Sequence, residues 1–142
     1  TNLTTIYSRN FIRNVILKKV KKVFNKYDDN IINAVDLLSE VENYISLQTD
    51  IALKKSCMIV DNRNIYLDFK KFLMYNSLIQ KEILHKILNF LLTKNCILFK
   101  SSYGKAINNL LHFFKIKNKI FELNKNFIVK KHKEKIVFKI IK

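Results

Sequence analysis

Apolar residues recur at three- and four-residue steps through the start of the chain. Ile12, Val15, Ile16, Val20, Val23, Phe24 and Tyr27 fall on one face of a helix predicted from about Thr5 to Asn25. At about 100° per residue, Lys18, Lys21, Lys22, Asn10 and Asn14 cluster on the opposite side. The run Tyr27-Asp28-Asp29-Asn30 reads as its exit turn, with Asp29 or Asn30 able to cap the next helix. Ile31, Val35, Leu38, Val41, Ile45 and Ala52 then trace a second stripe to about Lys55, and Asp36, Glu40 and Glu42 lie largely off it. A long acidic amphipathic helix after a basic one reads as an antiparallel pair or as a spacer between domains.

The pattern then breaks. Met58 to Val60 and Ile65 to Leu67 are short β-prone runs around Asp61-Asn62-Arg63-Asn64, a hairpin or extended connector, and a domain boundary is expected there, between 1–57 and 58–142. Asp68 can cap a helical turn through Phe69, Phe72 and Leu73. Asn76 or Ser77 opens a helix that is apolar over most of its surface, the expected core helix of the second domain. Ser101-Ser102 caps another, with Ile107, Leu110, Leu111 and Phe114 facing inward. Near the end the period drops to two. Residues 120–123, 127–131 and 136–140 read as a three-stranded antiparallel meander, with Asn124 to Asn126 best able to supply a positive φ in a turn without glycine. The fold class is therefore mainly α with a small C-terminal antiparallel β element (α+β): a helical hairpin, a helical subdomain and the meander.

Two arginines stand out against this pattern. Arg9 and Arg13, one turn apart, land on the apolar side of the first helix, in line with Ile16 and Val20. An unpaired charge is costly to desolvate, so they are expected to face a carboxylate, a phosphate or another domain. An ordinary salt bridge or a snorkelling pair at a helix end would satisfy the same spacing.

The formal charge of +16 points toward nucleic acid, but the composition tempers it. Lys, Asn, Ile, Phe and Tyr dominate while Ala, Arg, Gly and Pro number 3, 3, 1 and 0, the profile of a very AT-rich genome. Such bias does not explain where the charge sits. Residues 1–27 hold seven Lys/Arg and no acid, 28–69 hold three against eight, and 70–142 hold seventeen against three. Two basic surfaces around an acidic spacer suit an RNA partner, although solvated lysine faces would give the same count. Cys57 and Cys96 form no C-x-x-C pair and share no ligand spacing with His85, His112 or His132, so no metal site is expected. No run reaches a membrane span and no signal peptide is visible.

The opening T-N-L-T-T-I-Y-S-R-N-F-I-R-N resembles a block of bacterial tRNA(Ile)-lysidine synthetases, in which a D-x-[ST]-N segment leads into a helix reading Y-x-R-N-x-[IL]-R. Asn2, Tyr7, Arg9, Asn10, Ile12 and Arg13 carry the match. Later, S-S-Y-G-K-A-I-N-N-L-L followed by F-E-L-N-K-N-F-I-V-K-K is similar to that family's helix and hairpin. Three features depart from it: no S-G-G-x-D-S phosphate loop is present, the acid before Asn2 is missing, and no proline follows Arg13. The resemblance thus covers the C-terminal portion without the N-terminal PP-loop ATPase domain, and the chain is expected to be a piece of a longer protein.

The resemblance implies a ligase that uses ATP, with Mg2+, to activate the wobble cytidine of an isoleucine tRNA as an adenylate, which the amine of free lysine then attacks. No cofactor is expected on this segment alone, and the segment is expected to be inactive by itself. Arg9 and Arg13 would act as supporting electrostatic groups beside the reacting base. Lys18, Lys19, Lys21 and Lys22 would meet the tRNA backbone, and Asn2, Tyr7 and Asn10 would serve the motif structurally. The implied setting is a bacterial cytoplasm or the interior of a plastid, with no membrane partner. Two alternatives remain open: a stand-alone basic helical RNA-binding module without chemistry, and a structural helical protein whose basic charge is codon bias.

Overall fold

The structure, a computed structural model, describes residues 8–24, 26–96, 102–116 and 119–141. Asn2, Tyr7, Ser101 and the expected helix limits at Thr5 and Asn25 lie outside them. The chain forms two compact units, one ending at Tyr44 and one running from Ile45 to Lys142.

The first unit holds α1 (Ser8–Phe11), a π-helical stretch Ile12–Ile16, α2 (Leu17–Val23) and the N-terminal part of α3 (Tyr27–Ser56). The break falls at Phe24, whose backbone is extended. Tyr27 to Asn30, expected as an exit turn, is instead the first turn of α3. Asp28 and Asp29 favour that position because the helix dipole is positive there. No described residue of this unit is buried. Its apolar stripes, from Ile12 and Ile16 to Val35 and Leu38, are exposed.

In the second unit the α+β class read from the sequence is the class observed. The expected division at residue 57 falls inside this unit, because the end of α3 supplies Thr49, Ala52 and Ser56 to its interior. The two hydroxyls are satisfied one turn back: Thr49 Oγ1 donates to Ile45 O at 2.8 Å and Ser56 Oγ to Ala52 O at 2.6 Å. Next come β1 (Cys57–Asp61), β2 (Asn64–Asp68), α4 (Phe69–Leu73), α5 (Ser77–Lys94), α6 (Tyr103–Lys115), β3 (Ile120–Asn124), β4 (Phe127–His132) and β5 (Lys135–Ile140). The caps are the expected ones: Asp68 accepts from Lys71 N, Asn76 from Ile79 N, and Ser102 from Lys105 N.

The meander β3–β5 forms as read, but it is part of a larger sheet. β2 pairs antiparallel with β5, giving one five-stranded sheet in the order β1-β2-β5-β4-β3. Register assigns its two faces. Ile65, Leu67, Phe127, Val129, Ile136 and Phe138 point inward against α5 and α6, with Leu84, Leu88, Leu91 and Leu110 fully buried among them. Phe69, Phe72 and Phe114 close one side with edge-to-face contacts of 5.6 and 5.7 Å. Lys131 also falls on the inner side. Its ammonium lies 4.5 Å from the Phe113 ring and donates to Ile116 O, and desolvation lowers its pKa.

The turns do not use asparagine as expected. The left-handed residues among those described are Cys96 (φ 51°) and Lys133 (φ 53°). Asn124 holds its turn through a side-chain bond instead, accepting from Asn126 N at 2.8 Å. Likewise the Asp61 carboxylate accepts from the Asn64 side-chain amide and from Arg63 N and Asn64 N, which keeps that carboxyl below its usual pKa range. Side-chain acceptors do here what a positive φ would otherwise do.

Candidate nucleic-acid interface

Helix formation through residues 8–23 strings the singled-out cations along one rod. Arg9 lies in α1, Arg13 in the π-helical stretch and Lys18, Lys19, Lys21 and Lys22 in α2, all of them exposed. The separation from Arg9 to Lys22 is roughly 20 Å at helical rise. Arg9 and Arg13, read on the apolar side of the first helix, are both exposed. An i→i+5 stretch takes more residues per turn than an α-helix, so α-helical phasing does not carry from Arg9 through Ile16. Nor does the unit contain a buried side: Phe11, Ile12 and Ile16 are 45%, 47% and 42% exposed. Asn10 is half-buried in α1.

The four lysines are not equivalent. Lys21 Nζ lies 2.6 Å from Asp28 Oδ2 and 5.7 Å from the centre of the Tyr27 ring. The Asp28 hydrogen bond and charge raise its pKa. The first turn of α3 therefore holds Lys21, while Lys18, Lys19 and Lys22 make no ion pair among the described residues. Lys21 and Lys22 also stand in the last turn of α2, where the helix dipole favours cations.

A second group of cations was not singled out from the sequence. The outer face of the sheet is built around Val137, with Tyr66 as its register partner on β2 and Lys130 on β4. Lys135 and Lys139 lie two residues away on β5 itself, on the same face, because side chains alternate along a strand. All three lysines are exposed, and Tyr66 and Val137 are half-buried. Strict alternation in Lys135-Ile136-Val137-Phe138-Lys139 was the signal that could have found them. Beside Tyr66 and Lys135 lies a hollow of about 170 Å³ that Lys55, Met58 and Lys71 also line.

A larger cavity of about 450 Å³ between α3, β1 and α5 is apolar, lined by Leu53, Cys57, Ile59, Ile65, Ile87 and Phe90. Lys86 at its rim is occupied, with Nζ 2.7 Å from Asp50 Oδ1 and 3.1 Å from Ser46 Oγ. Lys54 is the other cation in its lining. Among the described residues no group of three His, Cys, Asp or Glu side chains could hold a metal ion. Cys57 and Cys96 are free thiols, and burial pushes Cys57 up to about 11. No helix among the described residues is long and apolar enough to cross a membrane.

No protein-family model matches the chain. Over 147 aligned residues it is 29% identical to the tRNA(Ile)-lysidine synthase of Borreliella afzelii (strain PKo). The alignment takes in 98% of this chain and 30% of that enzyme, so the chain spans less than a third of the relative's length. The likeness is distant, but it runs through both units and is not confined to the opening block.

Proposed function

We propose that this chain belongs to an ATP-dependent ligase that converts the wobble cytidine of an isoleucine tRNA to lysidine. It would supply the helix that follows the catalytic domain and a region that grips the tRNA. The observation that carries this reading is the alignment of nearly the whole chain with a tRNA(Ile)-lysidine synthase. The exposed cationic rod from Arg9 to Lys22 supports it, since phosphate contacts supply most of the affinity in such complexes.

The residues present do not fit ATP. Gly104, the only glycine, is the second residue of α6, where it makes no phosphate-cradling loop. ATP, Mg2+ and the lysine substrate are therefore assigned to the remainder of the enzyme, acting in the cytoplasm. Within this chain, Arg9 and Arg13 would present planar guanidinium forks to phosphate or to an active-site carboxylate. Lys18, Lys19 and Lys22 would meet the tRNA backbone without reading sequence.

The test uses the full-length enzyme with an isoleucine tRNA transcript. Arg9→Lys or Arg13→Lys should lower lysidine formation about 10²–10³-fold, because a point charge cannot reproduce a bidentate fork. The tRNA affinity should change little. Neither arginine is buried, so the melting temperature should stay at the wild-type value. Normal turnover in both variants would remove the catalytic role.

A further inference from the structure

We propose that the outer face of the five-stranded sheet binds single-stranded RNA, with phosphates held by Lys130, Lys135 and Lys139 and one unpaired base stacked on Tyr66. The proposal deepens the ligase reading in that it expects an RNA partner; the surface itself is argued from its own geometry.

The first ground is placement. Around Val137 the register sets Tyr66 on one side and Lys130 on the other, each at the ~5 Å of a cross-strand pair. Lys135 and Lys139 sit above and below, about 13 Å apart along β5. Three lysines thus frame Val137, and the Tyr66 ring stands on its fourth side. Helices α5 and α6 cover only the opposite face, where the buried cluster lies.

The second ground is that no neighbouring acid is paired with the three lysines. Asp68, register partner of Lys135, accepts from Lys71 N at 3.0 Å and pairs with Lys71 Nζ at 3.7 Å. Glu122 lies across from Ile128, diagonal to Lys130, and makes no ion pair among the described residues. Lys130, Lys135 and Lys139 make no ion pair among the described residues. The third ground is the hollow of about 170 Å³ beside the ring, where Lys55 joins Lys135 and the Asp68–Lys71 pair also lines the wall. A phosphate or ribose entering it would leave the attached base over Tyr66.

Chemistry favours a single strand over a duplex. Lysines alone would serve either, whereas a half-exposed ring on a sheet gains from a base only when that base is unpaired.

The experiment measures fluorescence anisotropy of a labelled oligouridine against the whole chain across a salt series. Replacing Lys130, Lys135 and Lys139 by Gln should flatten the slope of log affinity against log salt by about 2, from ~0.7 per single-strand contact. Tyr66→Leu should weaken binding about tenfold or more, while Tyr66→Phe should bind as wild type. The triple Arg variant should keep the slope, which preserves a readout if the Gln variant proves unstable by circular dichroism. A wild-type slope in the folded Gln triple, unchanged binding in Tyr66→Leu, or equally tight binding of a blunt RNA duplex would each overturn the proposal. Failure of the ligase reading looks different: the full-length enzyme would form no lysidine while these effects on oligouridine persisted.

Discussion

Asp28→Asn isolates one electrostatic contact in the first unit. In the wild type the carboxylate lies 2.6 Å from Lys21 Nζ, so that ammonium already has its counter-charge. Binding an RNA phosphate through Lys21 would require breaking that pair, whereas Lys18, Lys19 and Lys22 need break no such pair. Counterion release gives about 0.7–0.9 of salt slope per lysine–phosphate contact. Lys18→Gln, Lys19→Gln and Lys22→Gln should therefore each flatten the slope by about that amount, and Lys21→Gln by much less. Asp28→Asn frees Lys21 and should steepen the slope by about one contact. Over a fourfold rise in salt, one added contact changes affinity by about threefold, well within the resolution of anisotropy titrations with a tRNA transcript. The double variant Lys21→Gln/Asp28→Asn should return close to Lys21→Gln alone. If Asp28→Asn leaves the slope unchanged, or Lys21→Gln matches Lys22→Gln, then the pair does not govern this surface and the reasoning fails.

Four further outcomes are expected. At pH 8 iodoacetamide should modify exposed Cys96 first, because Cys57, pushed up to about 11 by burial, holds roughly a hundredfold less thiolate than a thiol of pKa 9.0. The raised folded value also means that Cys57 favours folding below about pH 9 and loses that contribution as pH climbs through 11, readable in urea melts at high pH. Phe138→Ala removes a fully buried ring paired in register with Ile65 and Val129, and urea unfolding should show a loss of about 3–5 kcal/mol. Isothermal titration of ATP into this polypeptide should show no micromolar binding, and a clear isotherm would overturn the assignment of ATP to the rest of the enzyme.

Local chemistry was legible and distant pairing was not. Asp68, Asn76 and Ser102 announce their helices because a cap is a contact over two or three residues. The β3–β5 meander follows from period-two alternation. By contrast, nothing near Ile65 or Leu67 signals that their strand will join β5, and so the sheet was read two strands too small. The apolar stripe through Arg9 and Arg13 shows a similar limit: periodicity says which face is apolar but not whether anything covers it. The π-helical stretch compounds this, since no residue in Ile12–Ile16 marks it. The lysines of the sheet face were legible in principle, and were passed over because composition made any one lysine unremarkable.

The pairing of β2 with β5 has a consequence for how this protein is made. Tyr66 leaves the ribosome long before its partner Val137. At about 5–20 residues per second, that wait lasts roughly 4–14 s. During it the nascent hairpin β1–β2 carries Met58, Ile59 and Val60 on an edge whose one charge is Asp61 at its end, and Ile65 and Leu67 have no completed sheet to enter. Helices α5 and α6 can form early, but the inner face they need does not exist until β5 arrives. Closure of this unit therefore waits for β5, and a stop codon anywhere before Lys135 would release a sticky, half-built body instead of a shorter functional one.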